Sequence, residues 1–70
     1  MRHSYHVAIY RLRHIRQEEW YHVNDVYTNY KFTKDELRGV QLLYESMSAT
    51  KHKIELVDNK SGDILCSVAY

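Results

Sequence analysis

Five histidines, one cysteine and nine carboxylates are the side chains of this 70-residue chain that could do chemistry. Metal binding is the first possibility that histidines raise. His3 and His6 lie three apart, and on a strand that spacing sends them to opposite faces, where they cannot share an ion. His14, His22 and His52 can meet only through folding. No cysteine pair and no carboxylate–histidine motif accompanies them, so neither a metal site nor any other cofactor is expected. Met1-Arg2-His3 could wrap Cu(II) or Ni(II) in a square plane, a property of any chain with an unblocked amine and histidine third.

Nucleophilic chemistry has as little support. Cys66 sits between Leu65 and Ser67 in an alternating apolar run, where a small buried hydrophobe is expected. A reactive thiolate needs an electropositive, partly exposed niche, and nothing local supplies one. Ser4, Ser46, Ser48, Ser61 and Ser67 stand outside any nucleophile-elbow pattern. Glu18-Glu19 and Asp35-Glu36 are adjacent acids, the second pair explained by helix capping. Neither Gly39 nor Gly62 belongs to a phosphate-cradling loop. No enzyme is expected.

Recognition chemistry is better represented. Trp20 to Phe32 holds five aromatic rings in thirteen positions, and seven tyrosines occur in the whole chain. Trp, Tyr and Arg are the residues that most often dominate interface energy. About half of these rings, Trp20, Tyr27 and Phe32 among them, are expected in the core, because each buries a large area. The candidate partner-binding residues are Tyr10, Arg11, Arg13, Arg16, Tyr21 and Tyr30, with the tyrosines lining the sheet face opposite the core. Tyr10-Arg11-Leu12-Arg13-His14-Ile15-Arg16 also interleaves stacking and phosphate-pairing groups, as a single-stranded nucleic acid would require. It lacks the aromatic signature of an RNA-recognition motif. Lys34, Arg38 and Gln41, beside Asp35, Glu36 and Glu45, do not make a recognition helix.

Composition narrows the class. The net charge of +1 divides into +4 over residues 1–16, −3 over residues 17–50 and a balanced remainder. Such polarity can guide association with phosphate or with an acidic protein surface. A single cysteine suits a reducing compartment, and no apolar run approaches a bilayer span. No signal peptide is apparent, so a soluble, cytoplasmic protein with no membrane partner is expected. Prolines are absent and glycines number two, which leaves no linker, low-complexity stretch or internal repeat.

The elements that must position these residues follow from periodicity. Tyr5 to Leu12 alternates with apolar groups on both faces, as a central strand does. Arg13 to Glu19 turns the chain back. Trp20 to Val23 reads as a second strand, Asn24-Asp25 as a tight turn, and Val26 to Phe32 as a further strand. A competing reading makes residues 18–30 a helix, with Trp20, Val23, Tyr27 and Tyr30 at helical spacing. Thr33-Lys34-Asp35-Glu36 is a capping box, with Phe32 and Leu37 as its hydrophobic staple. The helix should run from Lys34 to about Met47, with Leu37, Val40, Leu43, Tyr44 and Met47 as its inward stripe. Gly39 either marks a close approach of the sheet or is simply tolerated. Lys51 to Val57 and Asp63 to Tyr70 form a last hairpin around Asp58-Asn59-Lys60-Ser61-Gly62, with Gly62 suited to a positive φ. Ile64, Cys66 and Val68 should share one face of it.

The expected fold class is α+β: one domain over residues 1–70, an antiparallel sheet of four or five strands, and one helix packed on one face, in the order β-β(-β)-α-β-β. The expected function is a small protein-binding module, an inhibitor, adaptor or subunit. In size and character it is comparable with phage and mobile-element proteins that block host machinery such as CRISPR effectors, although no motif matches them. Nucleic-acid binding and a structural homo-oligomer, formed through an open sheet edge, are the alternatives.

Overall fold

Strand alternation at Tyr5 sets the plan of the molecule. β1 (Tyr5–His14) is flanked by β2 (Glu19–Thr28) and by β3 (His52–Asp58), and β4 (Ile64–Val68) completes the antiparallel order β2-β1-β3-β4. The helix α1 (Lys34–Ser48) connects β2 to β3 and packs over β3 and β4. This computed structural model describes residues 2–14 and 16–69, with His14 described by its backbone alone. The amine of the Met1-Arg2-His3 chelate, the His14 side chain, Ile15 and Tyr70 lie outside the described residues. No helix among the described residues is long and apolar enough to cross a membrane.

The fold class is the one expected, with four strands rather than five. Asn24-Asp25 does not turn the chain. β2 runs through it as one strand and absorbs an extra residue, Val23, where the register with β1 shifts between Ile9–Asn24 and Tyr10–His22. Nine of its ten residues pair with β1, β-favouring Tyr, Val and Thr among them, which also removes the helical reading of residues 18–30. The strand ends at Thr28, so residues 29–32 are an irregular link to the helix.

One sheet face makes the core. Val7 and Ile9 of β1, Ile54 and Leu56 of β3, Val68 of β4 and Leu37 of α1 are buried together, with Tyr5, Phe32, Val40, Tyr44 and Cys66 packed at their margin. Each fully buried aliphatic side chain contributes about 1.5–3 kcal/mol. Cys66 is thus half-buried against the core.

The capping box forms as its residues dictate. The Glu36 amide donates to the Thr33 hydroxyl, and the Thr33 amide donates to the Glu36 carboxylate at 2.9 Å. The inward stripe, however, is rotated from the expected one. Leu43 and Met47 are 58% and 66% exposed, and Gln41 is buried instead. Polar bonds explain this. Gln41 Nε2 donates to the His52 carbonyl at 2.9 Å, and the His52 amide donates to the Glu45 carboxylate at 2.9 Å. These two tie α1 to the start of β3 through the 41–45 flank. Gly39 meets nothing within 4 Å of where a Cβ would stand, so no approach of the sheet requires it.

The β3–β4 loop is built as predicted. Gly62 takes φ +79°, and its amide donates to the Asp58 carbonyl at 2.7 Å. Ile64 departs from expectation. A register shift between β3 and β4 pairs Leu56 with Cys66 but Val57 with Ile64, so Ile64 leaves the face of Cys66 and Val68 and is 56% exposed.

Candidate functional site

The β1 register assigns every strand residue to a face. Val7, Ile9 and Arg11 point to the helix side, so their β2 partners Val26, Asn24 and Tyr21 do too. His6, Ala8, Tyr10 and Leu12 point to the other side, with Tyr27, Asp25, His22 and Trp20 opposite them on β2. Val57, Glu55 and Lys53 complete this second face from β3. Among the described residues, no helix packs on it.

The second face is an organised surface of rings and charges. The Lys53 ammonium sits 4.8 Å from the Tyr10 ring centroid and 5.1 Å from that of Trp20, and 3.7 Å from the Glu55 carboxylate. Two rings and a carboxylate thus hold one cation by electrostatic attraction. Tyr10 meets His22 edge-on at 5.3 Å, and His22 Nε2 lies 2.8 Å from Asp25 Oδ1. Burial, then the nearby carboxylates of Glu55 and Asp25, and finally a hydrogen bond to Glu55 raise the Tyr10 phenol above its ordinary pKa. This ring therefore stays neutral well into the alkaline range.

The far end of the face is held by the β3–β4 loop. Asn59 Nδ2 donates to the His3 carbonyl at 3.0 Å, so its Oδ1 is left as the acceptor for His6 Nδ1 at 2.5 Å. Nδ1 of His6 consequently carries a proton, and its Nε2 faces Asp25 Oδ1 at 4.0 Å. Tyr27 lies against His6 at 5.2 Å and His3 at 6.3 Å. His3 and His6 therefore approach the same ring, contrary to the opposite faces expected. The reason is that β1 begins only at Tyr5, so strand alternation does not govern His3.

Other histidines separate. His52 is 1% exposed beneath α1, with Nδ1 donating to the Thr50 carbonyl at 2.7 Å, whereas His22 is on the helix-free face. Among the described residues, no three His, Cys, Asp or Glu side chains are grouped so as to hold a metal ion.

The six residues singled out by sequence are not gathered in one place. Tyr10 is central to the helix-free face. Arg11 and Tyr21 pair on the other face, the guanidinium 5.7 Å from the ring centroid, so Tyr21 does not line the face opposite the core. Arg13 is exposed and 4.0 Å from the Glu19 carboxylate, and Arg16 is exposed in the β1–β2 turn. Tyr30 lies beyond the other end of β2, past Thr28, whereas Trp20 is near its start. Its hydroxyl donates to Glu36 at 2.5 Å and its ring meets Phe32 edge-on at 4.9 Å. Tyr30 therefore serves the helix cap.

Trp20 and Tyr27, expected in the core, stand on the helix-free face instead, because the shift at Val23 puts them opposite Leu12 and His6, and Tyr27 is 55% exposed. His22, Asp25 and Lys53 join them there without having been singled out by sequence. The outward placement of Lys53 and Glu55 was readable from their alternation with Ile54 and Leu56. Their meeting with Tyr10 depends on strand pairing, which periodicity does not report. Comparison with known proteins adds no kinship: no protein-family model, no curated protein and no solved structure matches this chain.

Proposed function

We propose that the protein is a small non-catalytic binding module, an inhibitor, adaptor or subunit, that takes a protein partner on the helix-free face of its sheet. The observation that carries this reading is the Tyr10–Trp20–Lys53 cluster, continued by His22 and Tyr27, on a face no described element covers. Stiff rings with polar tips supply contact area at little entropic cost, and the lysine held between them supplies an ordered charge. In its narrowest form the proposal is a phage-like inhibitor that occupies host machinery, CRISPR effectors included.

Protein is favoured over nucleic acid by charge. Asp25 and Glu55 stand within the face and repel phosphate, and Glu19 lies beside Arg13 at its end. Affinity capture from lysate tests the assignment when wild type is compared with surface variants. Tyr10→Ala with Tyr27→Ala should weaken retention of the partner by about thirtyfold or more, the scale of a lost aromatic hot spot. Arg38→Ala, on the outer surface of α1, should retain it. Equal capture by all three proteins would contradict the proposal, as would capture abolished by nuclease.

A further inference from the structure

The edge strand β2 reads the same in both directions once its extra residue is counted. It has ten residues, so its midpoint falls between Val23 and Asn24. In a regular strand of even length, residues equidistant from the midpoint lie on opposite faces and cannot pair across a two-fold axis in one sheet. The register shift at Val23 changes that parity. Trp20 and His22, before the shift, share the helix-free face with Asp25 and Tyr27, after it. Tyr21 and Val26 share the helix side.

We propose that two copies of this chain pair antiparallel through β2, about a two-fold axis at the Val23–Asn24 step. Four pairs of β2 residues then flank the Val23–Asn24 step on each side of the axis. Trp20 opposes Tyr27 of the other copy, an aromatic pair, and Tyr21 opposes Val26, an aromatic against a β-branched residue. His22 opposes Asp25, so two imidazoles and two carboxylates gather around the axis and complement each other in charge. Glu19 opposes Thr28. Kinks usually discourage edge pairing, but here the two extra residues lie beside the axis, each opposite Asn24 of the other copy, and both strands keep equal length.

The surroundings agree. β2 carries no lysine and no proline, the residues that most often blunt an edge, and α1 packs over the distant β3 and β4. Tyr21, Val23, Val26 and Tyr27 are 51%, 43%, 44% and 55% exposed. Pairing is isologous and closes at two copies, giving one eight-stranded sheet from two four-stranded ones. The helix-free faces become contiguous and stay uncovered, so this assembly neither requires nor prevents the binding role above.

Sedimentation across a concentration series, with charge-swapped variants, tests both pairing and register. Wild type should dimerise reversibly. Tyr21→Lys should raise the dissociation constant roughly tenfold or more, because the lost pair occurs twice by symmetry. Adding Val26→Glu to it should restore dimerisation, since the two introduced charges, opposite in sign, then face each other across the interface. Thr28→Lys is an independent arm that leaves the apolar residues intact. It places a lysine opposite Glu19 and should tighten the dimer several-fold. A monomer at every concentration would overturn the proposal. So would a dimer indifferent to Tyr21→Lys, or one that Thr28→Lys fails to tighten.

Discussion

Glu36 shows how much one side chain can hold in a chain this small. Its carboxylate accepts from the Tyr30 hydroxyl and from the Thr33 amide, while its own amide donates to the Thr33 hydroxyl. The Tyr30 hydrogen bond first, and then the bonds with Thr33, hold its carboxyl below the usual carboxylate range. A depressed folded-state pKa means that the associated stability is fully present above the unfolded value, about 4.3 for Glu, and is lost as pH falls through the folded value. Chemical denaturation followed from pH 6 down to pH 2.5 should therefore show a decline below about pH 4 that Glu36→Gln flattens. A variant with the same acid slope as wild type would dissociate the cap from the decline. The capping box was legible because it is local, four consecutive residues with a known geometry. The Tyr30 bond was not, since the irregular link 29–32 that swings this ring onto the cap follows no period. That is why Tyr30 read as contact surface.

At the scale of elements, α1 has two residues in each other's preferred place. Gly39 stands in the helix interior with open space around it, and Ala49 closes the helix at φ +54°, a left-handed conformation that glycine adopts without a Cβ clash. Gly39→Ala and Ala49→Gly should each stabilise by about 1 kcal/mol, and together raise Tm by roughly 8–16 °C in a domain of this size. Thermal melts of both single variants and the double variant check this; a drop in Tm for Gly39→Ala would mean the helix needs glycine there. The span of α1 was readable from its cap and period, and its start and end agree with expectation within a residue. Its inward face was not, because apolar residues alone predicted it, whereas buried polar bonds from Gln41 and Glu45 to His52 set its rotation. For β2 the obstacle was different. Asn24-Asp25 has turn composition, and only pairing with β1 lets the strand pass through it with one extra residue.

The whole molecule divides its labour between two sheet faces. Core residues from β1, β3, β4 and α1 occupy one, while the other presents rings ordered by Lys53, Asp25 and Glu55. Strand length and the 37 Å long dimension match, since ten residues of strand extend about 33 Å. Class and element order were legible because hydrophobic periodicity and turn residues act locally. The surface was legible only as a composition, rich in tyrosine and arginine, because which ring meets which charge is decided by the pairing of β1 with β2 and β3 and by the register shift at Val23. The most direct measurement of the central claim is site-specific photo-crosslinking in cells with benzoylphenylalanine in place of Tyr10 or, separately, Arg38. The account predicts a discrete heterologous protein adduct from position 10 and none from position 38. Adducts from position 38 alone, or adducts to nucleic acid from position 10, would contradict it.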